Sequence, residues 1–416
     1  MGGLADRWTM PLSAPRPTSK TRRWLLAWVS IVLVASLANI AAWVWHVGGP
    51  VRIVSNLAWL FGLPGWVPVY ATGMRSVRAD PAWILAANSV AWAFWLIAAR
   101  LLLAVRSRIH TTPGSQETEP PPSPSRRAFL ANSGVGVLSA GFVAAPGYAT
   151  AVEPWILKTR RYTVPILDLP PAFEGLKIVQ FADPHLGPRI PASFVEAAVE
   201  QAIGLAPDVV VFNGDYVAGG TVEVERAAEI MRPLAEAASI GAVGVLGNHD
   251  WWADGAMMRD AMERAGVRMI DNGRVWIDPA SRLLIDRSVQ SSLALVGLGD
   301  LGEDETDTER AFAGVHGKTP RIVAAHQPDS AELHVLRDPG GPRIDLMLSG
   351  HTHGGQVRIP FLGTPLVPSH YGQKYAGGLV RGPRFPVLVS RGVGMSLLPV
   401  RVGVPPEISL ITLTAG

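Results

Sequence analysis

Residues able to hold cations recur in five short motifs along the chain: Asp183 and His185 around Pro184; Gly214 with Asp215; Gly247, Asn248, His249 and Asp250; His326 ahead of Gln327 and Pro328; and Gly350, His351, Thr352 and His353. Carboxylate, imidazole and amide donors together suit borderline divalent metals, and one carboxylate between two such ions can bridge them. Asp215 is the candidate bridge. Taken singly, an Asp-x-His or Gly-Asp pair is an ordinary turn and a lone His326 an ordinary core histidine. Taken together, they imply a two-metal hydrolytic centre, because such groups earn chemical meaning by converging on one site.

Each motif ends a short apolar run, at 178–182, 209–212, 243–246, 322–325 and 346–348. Such runs are the mark of buried strands that deliver polar groups at their carboxyl ends, where open α/β sheets place their sites. The spacing predicts strands at 176–182, 207–213, 241–247, 293–298, 321–325, 345–349, 386–390 and 407–413, with helices at 193–205 and 222–238. The expected fold is an α/β two-sheet sandwich flanked by helices. There are no cysteines, so disulfides and thiol catalysis are excluded.

The order and content of these motifs resemble the calcineurin-like metallophosphoesterase superfamily over about residues 175–360. The string from Ser349 to Pro360 is similar to a bacterial membrane-linked or twin-arginine-exported branch that includes UDP-diacylglucosamine pyrophosphatase-like enzymes. The resemblance implies two divalent metal ions (Mn, Fe, Zn or Co), one held by Asp183, His185, Asp215 and His353, the other by Asp215, Asn248, His326 and His351. It implies that His249 binds the substrate phosphate or protonates the leaving oxygen. Relatives often carry a further acid three residues after the Gly-Asp aspartate; here Ala218 stands there. The implied reaction is metal-assisted hydrolysis of a phosphoester or phosphoanhydride.

Other positions are open to two readings. Arg358 is a candidate substrate-phosphate contact or a surface ion pair. Asp250 either orients His249 or caps the following segment. Trp251 and Trp252 form a pocket wall or pack, Asp300 supports the ligands from behind, 303–309 reads as a solvated loop, and Tyr371 and Tyr375 lie in a Gly-rich stretch without an assigned role.

Charge divides the chain. Residues 1–127 hold 13 Lys/Arg against 4 Asp/Glu, a balance of +9, so the stated net +3 leaves −6 for the remainder. The basic part flanks uncharged runs at 24–45 and 81–99, the second continued past Arg100 to about 105, each long enough to span a bilayer. Arginine and lysine placement favours two spans with both flanks cytoplasmic. This explains the positive charge without nucleic acid. The expected organisation is a membrane region at 1–110, a Pro/Ser linker at 111–125, a twin-arginine-like signal or third anchor at 126–150 beginning at Arg126 and Arg127, and a catalytic domain at 151–416. Export of that domain at a bacterial cytoplasmic membrane follows from either reading of 126–150.

The expected substrate is a phosphodiester or pyrophosphate, with a lipid-linked envelope compound in view. A phosphomonoester or cyclic nucleotide is the enzymatic alternative. A membrane-anchored binding module or the output domain of a sensor is the non-enzymatic one. The uncharged runs contain no Asp, Glu, Lys or His, which argues against ion transport.

Overall fold

A computed structural model describes residues 147–396 and 399–416. The expected spans, the linker and Arg126–Arg127 lie outside the described residues. Among those described, no helix is long and apolar enough to cross a membrane.

Two sheets face each other. The first has six strands: β1 (Lys158–Ile166), β2 (Lys177–Phe181), β3 (Val209–Phe212), β4 (Gly241–Gly244), β5 (Val267–Met269) and, closing the chain, β13 (Glu407–Ala415), in the order β1-β13-β2-β3-β4-β5. The second has seven: β6 (Gly273–Ile277), β7 (Leu284–Ile285), β8 (Leu293–Gly297), β9 (Arg321–Ala324), β10 (Leu346–Ser349), β11 (Gly378–Arg381) and β12 (Pro386–Val389), in the order β11-β12-β10-β9-β8-β6-β7. Strands β2 to β5 run parallel, as do β8, β9, β10 and β12.

Period-two alternation sorts the side chains into layers. Ile178, Val209, Val211, Ile322, Leu346 and Leu348 fill the space between the sheets. Val179, Phe181, Val210 and Phe212 point the other way, onto helices α1 (Ala192–Ile203), α2 (Val224–Ala237) and α3 (Asn248–Arg264). On the outside of the second sheet, Val296, Val323 and Met347 pack with Ala311 and Leu336 from two short helices, α4 (Thr308–Phe312) and α5 (His334–Arg337). Both faces of each sheet are thus covered, which is why its strands read as continuous apolar runs.

All eight expected strands form, as do both expected helices, within two residues at each end except for β4, which stops three residues early. Five further strands were not expected. β5 and β7 are too short to show a period, and β1 is a polar edge strand whose Lys158 and Arg160 face water, a common protection against edge-to-edge pairing. Helix α3 was also unforeseen. Its backbone breaks at Asp254 (φ −173°), and only its second half, with Met258, Ala261 and Met262 buried, carries a helical apolar stripe.

Candidate metal centre

The five motifs meet where β2, β3, β4, β9 and β10 end. The loops after β2 and β3 are tied together by backbone hydrogen bonds, Asp183 N–H to Gly214 O (3.1 Å) and His185 N–H to Asp215 O (3.0 Å). Five of the candidate ligands adopt left-handed backbone: Asp183 (φ 53°), His185 (49°), Asp215 (53°), His351 (68°) and His353 (50°). Non-glycine residues avoid this region, and such strain gathers where a site requires it. Here it turns successive side chains back over the strand ends.

Asp215 sits at the middle. Its Oδ1 accepts the His249 N–H at 2.8 Å. Its Oδ2 lies 3.4 Å from His185 Nε2 and 3.3 Å from His326 Nε2. To one side, His185 Nε2 and His353 Nε2 are 2.9 Å apart, and Asp183 Oδ1 is 4.0 Å from His353 Nε2. Asp183 Oδ1 accepts the His351 N–H at 2.8 Å, whereas its Oδ2 is buried without a hydrogen-bond partner. To the other side, His326 Nε2 is 3.2 Å from both Asn248 Oδ1 and His351 Nδ1. His326 Nδ1 faces the Asn213 carbonyl at 2.7 Å, a contact that commits Nδ1 as donor and turns Nε2 to the cluster.

Ionisation follows from burial. It lowers His185 and His351 to about 3 and His353 well below its ordinary value, so these imidazoles are neutral, with lone pairs available at neutral pH. Burial raises Asp183 to about 7. It also opposes charge on His326, but Asp215 first, then Asp183 and Asp300, outweigh it and lift that imidazole to about 10. Carboxylates packed this deeply recruit positive charge, here a proton on His326 and, beside Asp183, the buried Arg401 guanidinium. An unpartnered carboxylate oxygen and converging neutral nitrogens fit a divalent cation on donor chemistry alone. Ligand atoms of three groups, Asp183/His185/His353, His185/Asp215/His249 and Asp215/His326/His351, each lie within 4.8 Å of one another.

Two motif glycines are required by space. A Cβ on Gly247 would stand 2.3 Å from Asp215 Oδ1, and one on Gly350 would stand 2.5 Å from Asp183 Oδ2.

His249 stands beside the ligands with its ring half exposed. Nδ1 is 3.1 Å from the Ala218 carbonyl and Nε2 is 3.4 Å from Ser396 Oγ. The ring lies edge-on to His185 at 4.6 Å and leans on Trp252 at 4.4 Å. Trp252 is exposed and donates to Glu303 Oε1 at 2.8 Å, so it walls the site, while Trp251 packs against the helical core. Asp300 is buried and accepts from the Gln327 amide at 3.2 Å, next to His326. Tyr375 packs in the outer core with its hydroxyl on Glu332. Arg358 is exposed, and among the described residues no ion pair or hydrogen bond ties its guanidinium to the cluster.

Two supporting residues act through backbone groups of distant segments. Asp250 does not touch the His249 ring; its carboxylate takes the N–H groups of Asp215, Tyr216 and Gly247 at 2.7, 2.8 and 2.9 Å. Arg401, fully buried, donates to the carbonyls of Arg391, Gly392, Gly394 and Val404. The loop it holds leans on Asp183, with Gly394 N–H on the Asp183 carbonyl at 2.8 Å.

This fold and this centre define a metallophosphoesterase, and the chain belongs to the calcineurin-like phosphoesterase family, whose model matches residues 176–355. It is 32% identical over 293 residues to the uncharacterized metallophosphoesterase YkuE of Bacillus subtilis, covering 70% of this chain and 97% of that protein. It is 32% identical to the phosphodiesterase YaeI of Escherichia coli (70% and 99% covered) and 29% identical to the UDP-2,3-diacylglucosamine pyrophosphatase LpxG of Chlamydia trachomatis (64% and 91% covered). The chain is a metal-dependent phosphoric ester hydrolase.

Proposed function

We propose that the protein is a membrane-associated, binuclear-metal phosphodiesterase or pyrophosphatase acting on an envelope or lipid-linked phosphate. The observation that carries this reading is the position of Asp215 Oδ2 between His185 Nε2 and His326 Nε2, at 3.4 and 3.3 Å. One ion is assigned to Asp183, His185, Asp215 and His353 and the other to Asp215, Asn248, His326 and His351. When bound, the pair supplies Lewis acidity that makes water nucleophilic at neutral pH and offsets phosphate charge.

The chain's own groups supply the rest. His249 Nδ1 is held by the Ala218 carbonyl, which leaves Nε2 to deliver a proton to the departing oxygen. Asp215 Oδ1, taken by the His249 N–H, couples the acid's position to the bridge. Arg358 is the candidate phosphate contact. Trp252 supplies an apolar wall for a nucleoside or acyl group.

Membrane association rests on the uncharged runs at 24–45 and 81–105 and on relatives described as transmembrane proteins with a metallophosphoesterase domain. With the linker at 111–125 and the signal or anchor at 126–150, the catalytic domain from 151 onward faces the extracytoplasmic side of a bacterial cytoplasmic membrane. Confinement there raises the local concentration of lipid-linked phosphate.

The test is hydrolysis of bis-p-nitrophenyl phosphate against p-nitrophenyl phosphate by full-length protein, stripped of metal and resupplied with Mn, Zn, Fe or Co, beside His353→Ala. Metal-dependent diester turnover lost in the variant supports the reading. Turnover of the monoester alone moves the assignment to a phosphomonoesterase, and no turnover with two ions bound favours a binding role.

A further inference from the structure

We propose that the hairpin at 359–363, with Leu366 beside it, is a bilayer-docking element that seats the mouth of the metal centre on an anionic lipid surface. The hairpin is firmly built. Ile359 and Gly363 exchange backbone hydrogen bonds at 2.8 and 2.9 Å. The Gln373 side chain accepts the Thr364 N–H at 3.1 Å and reaches the Leu362 carbonyl at 3.5 Å. At the tip, Phe361 adopts a left-handed backbone (φ 68°) that bulky residues avoid. Its side chain is fully exposed, with Leu362 at 61% and Leu366 at 79%.

An aromatic held in strained backbone with no core beneath it gains nothing within the fold, and exposed apolar clusters of this kind mark interaction surfaces. This one presents three exposed side chains, Phe361, Leu362 and Leu366, to its surroundings. A fluid bilayer accepts such a tip without shape complementarity, and aromatic residues are favoured at the headgroup level.

Charge selects the surface. From His351 to Pro406 the chain carries Arg358, Lys374, Arg381, Arg384, Arg391 and Arg401 and no Asp or Glu. Arg358, one residue before the hairpin, is exposed, whereas Lys374 and Arg391 pair with Glu332 and Glu407, and Arg381, opposite Pro386, stands at the far end of β12. The guanidinium of Arg358 beside an apolar tip is attracted to anionic headgroups.

Hairpin and centre form one block. A Cβ on Gly355, two residues after His353, would lie 2.1 Å from Thr364 Cγ2 and 2.2 Å from the Leu366 carbonyl. Arg358 N–H bonds the Val402 carbonyl at 2.7 Å. Gln356 accepts the Ser396 N–H at 2.8 Å, and Ser396 Oγ reaches His249 Nε2 at 3.4 Å. Docking the hairpin therefore brings His249 and the ligands to the lipid surface. The idea rests on the proposed function for the membrane and for naming that centre as catalytic; its readout is the position of a label, which diester turnover does not report, so the two fail separately.

The chain has no cysteine, so Phe361→Cys creates a unique labelling site. Full-length protein carrying an environment-sensitive NBD label there is reconstituted into phosphatidylcholine/phosphatidylglycerol vesicles with or without spin-labelled lipid. Leu283→Cys serves as control, because the neighbouring Arg282 pairs with Asp208 just before β3, at the end opposite the site. We expect a blue-shifted emission at 361 and quenching by shallow spin labels several-fold stronger than at 283, weakened by salt. Equal quenching at the two positions overturns the proposal. Shielding from aqueous iodide without lipid quenching also overturns it, because protein then covers the tip. Undiminished quenching in neutral vesicles overturns the assignment to an anionic surface.

Discussion

The carboxylate of Asp250 accepts the backbone N–H of Asp215 at 2.7 Å, so the first turn of α3 fixes the residue that stands between the two groups of candidate ligands. The same carboxylate holds Tyr216 and Gly247, joining the loops after β3 and β4 at one point. Burial first, then the charge of Asp215, raises the Asp250 carboxyl well above its ordinary value, although the N–H groups of Gly247 and Tyr216 pull it down.

Replacing this carboxylate orphans three backbone donors in a dry site. Asp250→Ala should lower stability by roughly 2–4 kcal/mol, since each buried donor left without a partner carries its desolvation cost. Turnover should fall with it, although Asp250 contacts no substrate. Urea unfolding beside metal-saturated kinetics checks both, and unchanged stability would remove the anchoring role.

His249 should separate catalysis from metal retention. His249→Ala is expected to keep near-normal metal content while turnover drops by about 10²-fold or more, the range for losing a general acid. Elemental analysis of the purified variant decides, and loss of both metals would make His249 a ligand instead.

Gly350→Ala puts a methyl group 2.5 Å from Asp183 Oδ2. The carboxylate must move, and a displacement near 1 Å at such a site costs about 10²-fold in rate. Metal occupancy and turnover should both fall while far-UV circular dichroism is preserved. Full occupancy in the variant would show that Asp183 is not needed as placed.

Asp271 supplies a pH dependence remote from the ligands. Burial raises it from 3.8 to about 6 despite Arg259 at 3.0 Å. The folded state therefore holds this proton more tightly, so the group's stabilisation is fully present below its unfolded pKa and is lost as pH rises through 6. Against Asp271→Asn, wild type should lose relative stability between pH 4 and 7. Denaturation midpoints at both ends give the comparison, and a constant difference between the proteins would falsify the assignment.

The convergence of the candidate ligands was legible because each ends an apolar run, and a buried parallel strand leaves such a run no alternative. His326 shows the limit: alone it is an ordinary core histidine, and only its slot in the series marks it. Helix α3 stayed hidden because its first turn is spent on Asn248, His249 and Asp250, which face the site and break the apolar period. Asp250 and Arg401 were illegible in role for another reason, since their partners are backbone groups on other segments.

The chain by itself determined which side chains are candidate ligands, which strands carry them, and that two sheets must cover each other, because residue chemistry and apolar period are local properties. Tertiary structure decided what lies between those side chains. It set Asp215 Oδ2 between His185 and His326, and brought Gly394 onto Asp183 across more than half the described chain. It also left Phe361 outside the core. These are outcomes of packing distant segments at close range, where a few tenths of an ångström and the loss of water decide which groups meet.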